Sequence, residues 1–97
     1  MQPPIFLSQA KQEFEQTIDY YESCSEGLGK QFAIEIQRSL LHITQYPHAW
    51  TLLRHGLRRY IINRFPYAIL YNIDGDTVVV IAIMNTSQKP DYWTERL

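Results

Sequence analysis

The sequence has few of the residues and segments that mark several large classes of protein, and each shortage argues against one of those classes. Its 97 residues include one cysteine, so no disulfide can form within the chain. No apolar run approaches the roughly 18 residues that a membrane-spanning helix needs. The first seven residues lack a basic segment followed by a long apolar one, so we expect no secretory signal, no membrane partner and a cytoplasmic location.

Signatures of catalysis are also missing from the sequence. The three histidines do not have the spacing of metal ligands, and there is neither a phosphate-binding loop nor a dinucleotide-binding fingerprint. Asp74 and Asp76 flank a glycine, which is the pattern of a turn and only weakly that of an acid–base pair. We therefore expect no metal and no cofactor.

Charge is divided unevenly between the two halves of the chain. Residues 1–45 contain three basic and six acidic side chains, whereas residues 46–97 contain six basic and four acidic ones. The formal net charge is only −1, which argues against a general nucleic-acid-binding protein. The basic excess of the second half indicates an anionic partner there, and an ordinary solvated surface is the alternative.

Apolar spacing in the first half predicts two helices after a short strand at residues 5–7. Ser8 is the expected N-cap of the first helix, which runs to about Glu22 with apolar residues every three or four positions. The second helix starts near residues 27–29 and ends at about Tyr46, because the proline that follows cannot continue it. Two such helices joined by a short loop form an antiparallel hairpin.

From about residue 57 the apolar period changes to two, which predicts strands at about residues 57–63, 67–73 and 77–84. Asp74 and Gly75 supply the positive-φ residues of a tight turn. The last strand is apolar at nearly every position, so we expect it at the sheet centre or covered on both faces. We predict one domain over residues 1–97, an α+β fold in the order β-α-α-β-β-β, with the helical hairpin packed on a twisted antiparallel sheet.

The first of these strands carries a basic group that is the main candidate site. Arg58 and Arg64 share one face with Tyr60, and Arg59 lies on the other face, so we expect this strand at or near a sheet edge. Guanidinium groups bind phosphate and carboxylate with matched geometry. The pattern indicates a surface for an anionic partner, and pairing with acids of the first helix is the alternative.

Polar and aromatic residues follow the last strand, at the end of the sheet where a groove can open. Tyrosine and tryptophan there combine stacking faces with polar tips, which suits nucleobases or a protein partner. For Trp93 we favour packing beneath the helical hairpin. The candidate partner-binding residues are Arg54, Arg58, Arg59, Arg64, Asn85, Lys89, Tyr92 and Trp93.

Several short motifs occur in order between residues 5 and 93: Asp19-Tyr20-Tyr21-Glu22, Gly27-Leu28-Gly29-Lys30-Gln31-Phe32, Tyr46-Pro47, Arg58-Arg59-Tyr60, Arg64-Phe65-Pro66-Tyr67-Ala68-Ile69, Gly75-Asp76 and Pro90-Asp91-Tyr92-Trp93. Together they resemble the RelE/ParE superfamily of type II toxin–antitoxin toxins, on its ParE-like or "plasmid stabilisation protein" side. The block at residues 64–69 is the most specific of them. The resemblance implies the β-α-α-β-β-β fold and a toxin that causes growth arrest.

In that superfamily a small cognate antitoxin wraps over the toxin, so the resemblance implies a toxin–antitoxin hetero-oligomer, with a homodimer as the alternative. ParE-like members poison DNA gyrase by binding, whereas RelE-like members cleave mRNA on the ribosome. If this chain were such a nuclease, Arg58, Arg64 and Lys89 would hold phosphates, and Tyr92 would stack or transfer a proton.

The sequence departs from the nuclease pattern at three points. Asn85 occupies the position where the superfamily commonly has a histidine, and an amide cannot take up a proton at neutral pH. Lysines are few near the sheet, although RNA cleavage needs dense positive charge in its transition state, and the first strand is short. We therefore expect a ParE-like toxin that binds gyrase; an mRNA endonuclease and an inactive antitoxin-binding relic are the alternatives.

Overall fold

The computed structural model describes residues 2–88 and 92–97, which form two layers. Two helices pack as an antiparallel hairpin on one face of a sheet that has five strands within the described residues. The predicted α+β class and element order are confirmed. The elements are β1 (Ile5–Phe6), α1 (Ser8–Cys24), α2 (Leu28–Gln45), β2 (Thr51–Leu52), β3 (Arg58–Ile61), β4 (Tyr67–Asp74) and β5 (Thr77–Asn85), with 3-10 turns at Arg54–Gly56 and Thr94–Arg96.

The strand order across the sheet is β1-β5-β4-β3-β2. β3, β4 and β5 pair antiparallel as predicted, whereas β1 joins β5 in parallel, so the sheet is mixed. β2 was not predicted, because two residues are too few for an alternating pattern to register. It covers the outer side of β3, so β3 lies next to the edge and not at it.

β5 is covered on both faces, as its composition predicts, and it lies between β1 and β4 in the sheet. Its turn to β4 differs in one detail from the prediction. Asp74 is the last strand residue and pairs with Thr77, and Gly75 has the positive φ, 60°. A glycine at that position adopts this conformation without the steric cost that a Cβ would bring.

A β-bulge in β5 changes which side chains face the helices. Leu70 pairs with Ala82 but Tyr71 pairs with Val80, so Ile81 is an extra residue in the ladder. Val78 and Val80 consequently face the helices, whereas Ala82 and Met84, in the same sequence phase, face away from them. The bulge therefore decides which apolar residues of β5 face the helices and which face away from them.

The main core lies between the helices and the sheet. Phe32 and Ile36 of α2 are fully buried against Ile69 and Tyr71 of β4. Aromatic rings extend this core towards the loop after β3, where the ring centroids of Phe32 and Phe65 are 5.3 Å apart. A second apolar cluster covers the opposite face of the sheet, which hereafter is called the far face.

The helix ends differ from the prediction at the start of α1. Leu7 is the N-cap, and Ser8 is already helical and makes no capping hydrogen bond. The hairpin between the helices is closed by Glu22, whose carboxylate accepts hydrogen bonds from the backbone N–H groups of Gly27 (2.9 Å) and Gly29 (3.1 Å). An acidic group there satisfies amides at the start of α2 that have no partner within the helix.

Tyr71 links β4 to the connection after α2 and provides a test of this core. Its buried hydroxyl donates to the carbonyl oxygen of Pro47 at 2.7 Å, and burial raises the pKa of Tyr71 to about 12. A raised pKa stabilises the folded state fully below the unfolded value of about 10 and progressively less as the pH approaches 12. As the pH rises through this window, the free energy of unfolding of the wild-type protein should therefore fall more steeply than that of Tyr71→Phe, by up to about 1.4 kcal/mol per pH unit.

Urea unfolding of the wild-type protein and of Tyr71→Phe between pH 9 and pH 12 measures this difference. Tyr46→Phe is the matched control, because Tyr46 is exposed, and it should keep the wild-type slope. Parallel stability curves for the wild-type protein and Tyr71→Phe would contradict the prediction.

Candidate functional site

Arg58 lies on the helix-facing side of β3 and is used within the fold. Its Nη1 donates to the carbonyl oxygens of His48 (3.1 Å) and Trp50 (2.8 Å). These bonds hold the connection between α2 and β2 against the sheet. The Arg58 side chain therefore binds backbone carbonyl groups. It does not pair with an acid of α1, which was the alternative prediction.

Arg64 also lies on the side of the helices, but in the loop that follows β3. It has a positive φ of 73°, and its Nη2 donates to Oε1 of Gln31 on α2 at 2.7 Å. The guanidinium is 5.8 Å from the ring centroid of Phe65. Arg58 and Arg64 thus share the predicted side, yet each is bound to a different part of the molecule.

Arg59 projects from the far face and borders a concave, mostly apolar site. Next to it Ile61 is 59% exposed, so an apolar side chain is accessible to solvent beside the guanidinium. A cavity of about 150 Å³ opens beside these two residues, and we call it the far-face groove. Its lining residues are Leu53, Arg59, Ile61, Ala68, Leu70, Met84, Thr86 and Trp93.

The far-face groove combines an apolar floor with a cationic rim. Within residues 2–88 and 92–97, Arg59 makes no ion pair with an acidic side chain. Arg54 is exposed in the 3-10 turn that directly follows the groove residue Leu53. A surface of this kind suits a partner that brings an apolar side chain and an acidic one together.

Asn85 ends β5 and is engaged in the loop after it. Its Oδ1 accepts hydrogen bonds from the backbone N–H (2.9 Å) and the Oγ (2.7 Å) of Ser87, a local turn that asparagine commonly makes. The side chain is thus occupied in shaping the rim next to Thr86. Lys89 lies outside the described residues.

Tyr92 and Trp93 lie in the final segment of the chain. The Tyr92 hydroxyl donates to Oε2 of Glu13 at 2.7 Å, and burial, reinforced by this hydrogen bond, raises the pKa of Tyr92 above its ordinary value. Trp93 is buried, but the expectation that it packs beneath the helical hairpin is wrong. It packs on the far face with Leu57 and Leu70, because the segment runs along the side of the sheet away from the helices.

An ion pair between Glu13 and Arg96 fixes this final segment and was not predicted. Arg96 Nη1 is 2.7 Å from Glu13 Oε1, and Arg96 Nη2 is 3.1 Å from Glu13 Oε2. The two residues are 83 positions apart, and neither belongs to a motif. Only knowledge of which side of the sheet the chain's end follows could have revealed the pair.

The candidate residues do not converge on one reaction centre. Arg58, Arg64 and Tyr92 are bound to three different parts of the fold. Among the described residues, no group of three histidine, cysteine or acidic side chains could hold a metal ion. The helices described here are all too short or too polar to cross a membrane. What the geometry offers is a binding surface, with Arg59 at its rim.

Comparisons with known proteins agree with this architecture. The solved structure described as "Chromosomal ParDE TA system from P. aeruginosa" is similar in fold, with a TM-score of 0.73 over 88% of this chain and 96% of that chain, at 14% sequence identity. No curated protein matches the sequence. The family described as "ParE toxin of type II toxin-antitoxin system, parDE" matches residues 5–90. Because this match spans most of the sequence, the chain belongs to the ParE toxin family of type II toxin–antitoxin systems.

Proposed function

We propose that this chain is a toxin that arrests growth by binding DNA gyrase, and that a cognate antitoxin neutralises it by covering the far-face groove. The observation that carries the binding mode is the state of the residues that a nuclease would need. Arg58 and Arg64 donate to groups within the fold, and the Tyr92 hydroxyl donates to a carboxylate. The three side chains are thus engaged at different parts of the fold, whereas a nuclease would need its phosphate-binding and proton-transferring groups together around one ribose.

The shape and chemistry of the far-face groove support its role in antitoxin binding. An apolar cavity near 150 Å³ accommodates a group about the size of benzene, so one leucine or phenylalanine side chain fits it. Arg59 at the rim can pair with a carboxylate of the same segment. An extended or helical peptide with an apolar anchor and a nearby acid is the expected occupant.

The target is tested by inducing the protein in growing cells and examining both DNA and mRNA. We expect growth arrest with covalent gyrase–DNA breaks, because a toxin that binds gyrase traps it on DNA. Primer extension on translated messages is the parallel measurement. Codon-positioned cuts with normal DNA topology would contradict the proposal and indicate an mRNA endonuclease, and expression without growth arrest would indicate an inactive relic.

The antitoxin surface is tested by reversing the charge at the groove rim. Arg59→Glu should weaken binding to the protein encoded beside this gene by about tenfold or more, because it replaces an attraction with a repulsion at a partly desolvated site. Isothermal titration calorimetry on the purified proteins gives the affinity. Lys30→Glu, an equal charge reversal at an exposed position of α2, should bind like wild type. Equal affinities for both variants would contradict the assignment.

A further inference from the structure

β5 extends further along the sheet than β1, the strand that pairs with it on one side. β1 pairs only with Val79 and Val80, and the Leu7 N–H then donates to the Val80 carbonyl oxygen at 3.0 Å, where the chain turns into α1. Among the described residues, no strand lies opposite Ile81 and Ile83 on this side. Both residues are buried, so their backbone groups need partners from elsewhere.

Glu13 and Arg96 supply those partners. Glu13 Oε1 accepts the Ile83 N–H at 3.1 Å, and Arg96 Nη1 donates to the Ile81 carbonyl oxygen at 3.1 Å. The two side chains are joined by a two-pronged ion pair, and their exposed fractions are only 19% and 14%. The hydrogen bonds that Arg96 donates to Glu13 raise the pKa of Arg96 above its ordinary value. A pair this shielded is stronger than an exposed one.

The same carboxylate also holds Tyr92, through the hydroxyl bond to Oε2. The Arg96 guanidinium lies over the Tyr92 ring, 5.0 Å from its centroid, which adds a cation–π contact. The Arg96 backbone N–H donates to the Trp93 carbonyl oxygen at 2.9 Å. Residues on both sides of Trp93 are therefore tied to one side chain of α1.

Trp93 is the part of this segment that shapes the far-face groove. Its side chain is only 4% exposed, packs against Leu70 and Met84, and forms one wall of the cavity beside Arg59. The His55 ring meets it edge-on at 6.3 Å. A displacement of the Trp93 ring would therefore change the shape of the groove.

We propose that Glu13 is a positioning residue for the far-face groove. From the helical layer, Glu13 binds Arg96 and Tyr92 at the edge of β5. Through these two residues it holds Trp93 in place as one wall of the groove on the far face. The inference rests on the proposed function only for the use of the groove in binding. A neutral amide at residue 13 keeps the side-chain volume but removes the charge that pairs with the guanidinium.

The test uses a chain in which Trp93 is the single tryptophan. Trp50→Phe gives this background, and because the buried Nε1 of Trp50 has no hydrogen-bond partner among the described residues, the substitution removes no side-chain hydrogen bond there. Adding Glu13→Gln should increase acrylamide quenching of native Trp93 fluorescence. Exchange of the Arg96 amide hydrogen should quicken about tenfold or more, the equivalent of a lost charged hydrogen bond.

Glu15→Gln is the matched control, because Glu15 is an exposed acid on the same helix, and it should leave both readouts unchanged. Arg96→Gln should reproduce the effect of Glu13→Gln, and the double variant should expose Trp93 no further than either single change, since the two residues form one unit.

If acrylamide quenches Trp93 fluorescence no more in Glu13→Gln than in Glu15→Gln, the inference is overturned. A lower unfolding midpoint without native-state exposure of Trp93 would also overturn it, because Glu13 would then be only structural. If Glu13→Gln exposes Trp93 but the protein encoded beside this gene binds neither Glu13→Gln nor the wild-type chain, the positioning role stands and the proposed function fails.

Discussion

Beyond Val80, β5 has backbone groups on one side that no other described strand reaches, and a buried amide or carbonyl without a partner is costly. Glu13 and Arg96 meet this need with side chains. The two side chains link three distant parts of the sequence: the first helix, β5 and the end of the chain. The far face takes its shape from that link, because Trp93 lies between the two residues that Glu13 holds.

The two faces of the sheet differ in what covers them. One face is sealed by the helical hairpin, whose core needs Phe32 and Ile36. The bulge at Ile81 turns the rest of β5 so that Ala82 and Met84 form part of the far face. That face has an apolar floor and Arg59 at its rim, and such a surface suits protein recognition better than chemistry.

Much of the fold could be predicted because its signals are local. Helical spacing and the alternation after residue 57 follow from side-chain periodicity, Pro47 ends the second helix, and together these signals predict the element order. β2 was missed because it has two residues, and the bulge because it breaks the period of two within one apolar strand. The side on which Trp93 packs, and the Glu13–Arg96 pair, depend on contacts between distant residues. Arg58 and Arg64 shared the predicted side, but periodicity could not tell that the fold itself uses them.

Native-state hydrogen exchange at the Ile83 amide tests most directly whether side chains complete the edge of β5. No strand among the described residues pairs with this amide, yet it donates to Glu13 Oε1 at 3.1 Å. We predict that it is protected as strongly as the amides of the β4–β5 ladder, which open only with the whole domain. Rapid exchange, like that of an uncovered edge strand, would contradict the role given to Glu13 and Arg96.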